Sequence, residues 1–261
     1  MKKFIAALTV LTLILSLAAC GKSDKKKAVT YEKENNPVIL EDKTMMKEFK
    51  DDKGNIISTL EYTYPVVGGE LNPAVADNIN RYFTGVVAHE TEMAEINMKY
   101  TKDYKERFNI NSPIATKISY EIYYQDSELL TLVFSRKEGS DADNAVPVEE
   151  GCSFSLNDGH RFSVKDLYIN GEENDKEALM NAIFKVADKT YSPNGYEVGE
   201  TVRGRIRDEF DDMNICITAD TISFLFSLTV LSGDSRTGTY YCDVKLKDVN
   251  KILADPSTFS F

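Results

Sequence analysis

The chain has 261 residues, 42% of them hydrophobic and 10% aromatic, which suits one large or two small packed domains and excludes a disordered stalk. Its 42 acidic residues outnumber 31 basic ones, a net charge of −11, so the surface as a whole repels nucleic acid and anionic lipid, and no nucleic-acid partner is expected. The four cysteines form no Cys-x-x-Cys pair and no zinc-ligand spacing.

Lys2-Lys3 precede an apolar run over residues 4–17, which ends in Leu17-Ala18-Ala19-Cys20. A charged start, a short apolar segment and small residues predict a secretory signal over residues 1–19. The run is shorter than the ~20 residues that span a bilayer. A cysteine straight after Leu-Ala-Ala resembles the lipobox of bacterial lipoproteins. That resemblance implies that Cys20 carries lipid, becomes the first mature residue, and makes the membrane a partner on the extracytoplasmic side. Removing residues 1–19 takes away Lys2 and Lys3 and no acid, leaving 29 basic against 42 acidic residues, a charge of −13. Residues 20–43, with Lys25-Lys26-Lys27 and Glu32-Lys33-Glu34, are too polar to build a core and are expected to form a flexible tether.

Two strands are predicted over residues 44–51 and 55–64, joined by the turn sequence Asp52-Lys53-Gly54-Asn55 and ended by Pro65 and Gly68-Gly69. Asn72-Pro73 opens the longest helix, Asn as N-cap and Pro in the first turn. Val75, Ile79, Phe83, Val86, Met93, Ile96, Tyr100 and Tyr104 follow at helical spacing, with one gap across Glu90, and predict a buried stripe running to about Phe108. Residues 116–124 and 128–135 form a hairpin around Gln125-Asp126-Ser127. Residues 152–156 and 160–164 form another around Asn157-Asp158-Gly159, Asp-Gly being a strong hairpin signal. The polar stretch 138–150 between them is expected to be a loop. Asn174-Asp175-Lys176-Glu177 resembles a capping box before a helix bearing Leu179, Ile183, Val186 and Ala187. A shorter helix over 200–210 and strands over 214–218, 221–228 and 238–247 complete the chain.

Hairpins dominate and no regular β-α-β alternation appears, so the expected class is α+β: antiparallel sheets of hairpins packed by one long helix, with a second, smaller α+β half. The expected division is 44–165 and 166–261. Cys152 and Cys242 share strand faces with apolar neighbours, whereas Cys216 alternates with Asn214 and Thr218. A disulfide and buried free thiols are both compatible with that pattern.

No nucleophile elbow, phosphate loop, dinucleotide fingerprint or calcium loop occurs, so no cofactor and no enzyme activity is expected. His89 lies among Glu90, Glu92 and Glu95 on the long helix and His160 flanks a turn; neither has further ligands at a metal-site spacing. Asp211-Asp212 and Glu149-Glu150 are adjacent acids, a pattern more typical of solvated charge than of a hydrolytic pair.

Several segments resemble the RsiV family of extracellular domain pairs. They are Tyr64-Pro65-Val66-Val67 with Ile79-Asn80, Ser119-Tyr120-Glu121-Ile122-Tyr123-Tyr124, and Phe154-Ser155-Leu156-Asn157-Asp158-Gly159 with Val164-Lys165-Asp166-Leu167-Tyr168. Ile215 to Thr218 with Ile222 to Phe226 add a last match. That family includes a lysozyme-sensing anti-sigma factor, and related domains precede a peptidoglycan deacetylase. The resemblance implies a non-enzymatic envelope binding module whose ligand is a protein, a lysozyme-like cationic one among the candidates, or peptidoglycan glycan. The family's Gly-Ala-His-Gly segment is replaced by Gly139-Ser140-Asp141-Ala142-Asp143, and its Pro-Tyr segment by residues 227–233, so lysozyme recognition does not transfer residue by residue. The loop that stands in the first place carries Asp141, Asp143, Glu149 and Glu150, the candidate binding residues for a basic partner. An envelope hydrolase using carboxylates from distant parts of the chain, and a purely structural lipoprotein, are the alternatives.

Overall fold

The computed structural model describes residues 38–168, 173–191, 198–232, 238–251 and 253. Residues 1–37, with the expected signal segment and Cys20, lie outside them. Two sheets are present: a six-stranded one in the order β1-β2-β3-β4-β5-β6, and a three-stranded one in the order β7-β8-β9. With their helices they form the expected α+β fold in two halves.

The first sheet begins with β1 (Val38–Lys50) and β2 (Ile56–Gly69), paired antiparallel. Their turn is set by Asp51, whose Oδ1 accepts from the backbone N–H of Lys53 (2.9 Å) and Asn55 (2.8 Å), while Gly54 takes a φ of +83°. Both strands run further than expected. Residues 38–43, assigned to the tether on composition, pair with residues 64–69 because Val38 is buried in the first core. Pro65 does not stop β2, since it lies beyond Ser58 to Tyr62, the stretch that also pairs with β3, and so needs to donate on one side at most.

Asn72 caps α1 (Pro73–Ile96) as its pattern predicts, its Oδ1 accepting from the Ala74 N–H at 2.9 Å. Asn80 then ties the helix to β2. Its side-chain amide accepts from the Val67 N–H (2.7 Å) and donates to the Val67 carbonyl (2.9 Å), replacing a strand neighbour. The expected single helix breaks at Asn97 and continues as α2 (Met98–Phe108), which Asn109 ends in the left-handed conformation at φ +53°. The chain returns as β3 (Ile114–Gln125), parallel to β2. This β-helix-β crossover departs from the hairpin-only expectation.

From β3 the order is hairpin-like: β4 (Leu129–Gly139), β5 (Val148–Ser155) and the short β6 (Arg161–Phe162). The second half holds α3 (Glu173–Tyr191), α4 (Glu200–Glu209), β7 (Asn214–Ile217), β8 (Thr221–Ser227), α5 (Leu228–Ser232), β9 (Thr239–Lys245) and α6 (Leu246–Val249). The helix α3 starts at Glu173, so Asn174 lies inside it and not at its cap, while Leu179, Ile183 and Ala187 are buried as their spacing predicts.

The two sheets meet on β4 and β5. One face of these strands, Leu130, Leu132, Phe134, Cys152 and Phe154, packs under Ile79 and Phe83 of α1. The opposite face meets β7 and β8: Leu129 joins the second core and Val133 packs with Cys216 and Leu225. The first strand of the second sheet, β7, is an edge whose backbone groups would be stranded there. Ser153 Oγ accepts from the Ile217 N–H at 2.9 Å, and Thr131 Oγ1 donates to the Ile217 carbonyl at 2.6 Å. Ser153 and Thr131 are fully buried. Gly151 makes room for this approach, since a Cβ there would lie 2.4 Å from Cys216 Sγ and 3.0 Å from the Ile215 carbonyl oxygen. Cys152, Cys216 and Cys242 are buried as thiols, not joined in a disulfide.

Candidate functional site

The apolar stripe predicted to be core along the whole long helix divides in two. Val75, Ile79 and Phe83 are buried on the sheet. Beyond the break at Asn97 the sheet-facing positions pass to Thr101 and to Lys105, which is buried with its Nζ 3.5 Å from the Ile57 carbonyl. The rotated stripe faces water: Tyr100 is 72% exposed, Tyr104 52% and Ile96 57%. Phe108 continues the exposed aromatic row, its ring 4.8 Å from that of Tyr104.

These tyrosines form one wall of a groove of about 750 Å³. Ile110 and Ile114 close one end. The other wall is the far end of β4, with Arg136, Glu138 and Gly139, and the approach to β5, with Val146 and Val148. Val146 is 58% exposed. Isolated exposed apolar residues are ordinary, but a row of them along a concavity marks a binding surface.

Arg136 is the fixed charge of the groove. Its Nη1 donates to Glu90 Oε2 at 2.6 Å, and its Nη2 reaches Glu138 Oε2 at 3.3 Å. Burial works against the guanidinium's charge, and Glu90 and Glu138 more than offset it, so its pKa is raised. Glu90, the gap in the stripe, thus faces the sheet as an ion-pair partner. His89 beside it is exposed, and His160 Nε2 lies 3.1 Å from Asp166 Oδ1.

The four acids singled out on the 138–150 stretch do not share one surface, because Asp141 and Asp143 lie in the connection and Glu149 and Glu150 lie on strand β5. Only residues 140–147 connect β4 to β5, with a 3₁₀ turn at Ala142–Asn144. Asp141 precedes the turn and accepts from the Asn144 side chain at 3.0 and 3.2 Å. Asp143 is exposed and paired with Lys117 at 2.6 Å; the hydrogen bond and charge of Lys117 hold its carboxyl below the usual range. Glu149 and Glu150 sit on opposite faces of β5. Glu149 binds Thr239 through its backbone, its N–H donating to Thr239 Oγ1 at 2.7 Å. After burial, its charge and its hydrogen bond are what push the Tyr241 hydroxyl up. Glu150 faces α1, opposite Phe134 in the register. Its surface remains open to solvent, but desolvation by the surrounding groups and then the Glu90 charge raise its carboxyl, against the pull of Arg136 and Arg161. Asp211, the other paired acid, is held by Tyr168 at 2.9 Å and Lys176 at 2.9 Å. Cys20 lies outside the described residues. Among the described residues no group of three or more His, Cys, Asp or Glu could hold a metal ion, and no helix is long and apolar enough to cross a membrane.

The class these observations define is a two-sheet α+β protein with an open, aromatic-walled groove at the helix break. No protein-family model matches the chain, and no curated protein matches it. Among solved structures, the fold is similar to that of a member of the DUF3298 family from Bacteroides fragilis, with a TM-score of 0.52 at 13% identity, over 86% of this chain and 98% of that one. A DUF3298 family protein from Pseudomonas aeruginosa PAO1 aligns over 84% of this chain and 96% of its own, at 10% identity and a TM-score of 0.47. Identities this low speak for the fold alone.

Proposed function

We propose that the chain is a non-enzymatic binding module, anchored by lipid on Cys20 to the extracytoplasmic face of the cell membrane, that takes a protein ligand in the groove beside α2. The observation that carries this reading is the exposed row Ile96, Tyr100, Tyr104 and Phe108, of which Tyr100 and Tyr104 line a concavity of about 750 Å³. Tyrosine and arginine are the residue types that supply most binding energy in protein interfaces. The carboxylates near the groove are spent on Arg136, which disfavours the hydrolase alternative: Glu90 and Glu138 neutralise a cation and are not poised as an acid and a base.

Asp141, next in sequence to the groove residue Ser140, and Asp143, in the turn that follows it, are the acids assigned to the rim in this reading. A cationic partner is steered to such a rim, with an effect on the association rate that salt removes. The resemblance to the RsiV family makes a lysozyme-like protein the first partner to try, with soluble peptidoglycan fragments as the glycan arm. Glu149 and Glu150 contribute to the same acidic field from β5.

The test uses the mature chain immobilised through its N-terminus. Tyr100→Ala with Tyr104→Ala is expected to weaken association with the lysozyme-like protein at least about tenfold, as loss of hot-spot tyrosines does. Unfolding free energy stays within about 0.5 kcal/mol, because both rings are exposed. Binding that survives both substitutions unchanged, or a wild type that binds neither probe at low salt, rejects the groove. Cys20→Ser in cells is the separate test of anchoring, and a variant that still fractionates with membrane rejects it.

A further inference from the structure

A cleft of about 900 Å³ opens on the second half of the molecule, away from the aromatic groove. One wall is α3, where Lys185 and Lys189 stand four residues apart on one helix face, about 6 Å along its axis. The other wall is the corner from β9 into α6, with Lys245, Lys247 and Lys251. All five lysines are exposed, above a floor that includes Val186 and the buried Val244. Two acids, Asp243 and Asp248, line the cleft against them.

Lys245 is engaged, donating to Asp220 Oδ2 and Thr221 Oγ1, both at 2.8 Å. Among the described residues no ion pair or hydrogen bond holds the ammonium groups of Lys185, Lys189, Lys247 or Lys251. Four unengaged cations lining one cleft repel one another. Their concentration in one concavity is unexpected on a chain with a net charge of −11.

We infer that this cleft binds a linear polyanion of repeated phosphate groups. Lysines on both walls, spaced along its length, meet successive charges, and a single phosphate would reach only a few of them. No arginine lines the cleft, so no planar fork grips one carboxylate or phosphate bidentately; the lysine ammoniums act as separate point charges, which suits a run of phosphates met one after another. No aromatic residue lines it either, so no base is stacked, which separates it from a groove for single-stranded nucleic acid. The concave shape, with an apolar floor below lysine rims, fits a strand laid between two walls better than a flat bilayer.

The experiment is fluorescence anisotropy of a labelled inorganic polyphosphate oligomer with the full mature chain, over a range of ionic strength. Wild type is expected to bind at low salt and to weaken steeply as salt rises. Changing Lys185, Lys189, Lys247 and Lys251 together to Gln lowers affinity at least tenfold and flattens the slope of log K against log salt by about 3, at roughly 0.7–0.9 for each phosphate no longer neutralised by a lysine. Gln at Lys43, Lys50, Lys53 and Lys99 makes the same charge change elsewhere and leaves binding as in wild type. Should the quadruple cleft variant fail to fold, Lys189→Gln with Lys251→Gln, one from each wall, is expected to flatten the slope by about 1.5. The inference is overturned by no binding at low salt, or by equal losses in the two quadruple variants. Equal competition by polyglutamate of matched charge, or tighter binding to vesicles of anionic lipid than to polyphosphate, also overturns it.

Discussion

Gly151→Ala probes the interface on which the two halves depend. The glycine is not there for its backbone angles but for space: an added Cβ would sit 2.4 Å from Cys216 Sγ, 3.0 Å from the Ile215 carbonyl oxygen and 3.2 Å from its carbon. The sulfur can turn aside only into a cluster with Val133 and Leu225, where it is fully buried. The carbonyl belongs to β7 and moves only if the second sheet lifts off β5. Overpacking of this kind costs about 1–3 kcal/mol. Replacing glycine by alanine also restricts the unfolded chain, returning about 0.4–1 kcal/mol. A net loss of about 1–2 kcal/mol is expected from denaturant unfolding. The double variant with Cys216→Ala separates the two clashes, because it removes the sulfur and leaves the carbonyl. It should be more stable than the sum of the two single losses by at least about 0.5 kcal/mol, the coupling seen between residues that touch. A Gly151→Ala protein as stable as wild type, or strict additivity in the cycle, refutes the close-approach argument.

Two further outcomes follow from the same interface and its other face. Ser153→Ala leaves the Ile217 N–H without its acceptor in a buried place, and should cost about 1–3 kcal/mol and speed exchange of that amide; an unchanged exchange rate would show that the N–H has another partner. Glu150→Gln tests a raised carboxyl, whose causes are desolvation and then Glu90. Between the ordinary and the raised pKa the native state keeps a proton that the unfolded chain has released, so wild-type stability falls as pH rises through that window. The glutamine variant should therefore be the more stable at neutral pH and match wild type below about pH 4, where both states are protonated. A gain that persists in acid would point to packing and not to charge.

Local chemistry was legible wherever the determinants lie within a few residues of each other. Asp51 and Gly54 make the first turn, Asn72 caps α1 and Asn109 ends α2, as their residue types dictate. The turn at Asp126 forms because its Oδ1 accepts from the N–H groups of Glu128 and Leu129, both at 2.8 Å. The α+β class followed from the dominance of hairpin patterns without regular β-α-β alternation. The candidate site was less legible. The 138–150 stretch is polar, yet cross-strand pairing of Val148, Glu149 and Glu150 with Arg136, Ser135 and Phe134 makes its second part a strand that splits the two glutamates between faces.

Periodicity tells which residues share a face of an element but not what covers that face. The stripe on the long helix has the same spacing at Phe83 and at Tyr104, but one is under the sheet and the other in water, because the break at Asn97 changes the phase and turns Lys105 to the sheet instead. Leu129, Thr131 and Val133 alternate with Leu130, Leu132 and Phe134, and only the arrival of β7 on their side makes both faces of β4 core. The parallel pairing of β2 with β3 is likewise a choice among strands far apart in the chain. The four unengaged lysines of the second cleft come from positions about sixty residues apart, 185 and 189 against 247 and 251. Nothing in the sequence near either pair marks the other, so their facing one another across a single concavity was decided by the packing of α3 on β9 and α6, a tertiary arrangement whose energy comes from the shared core beneath it.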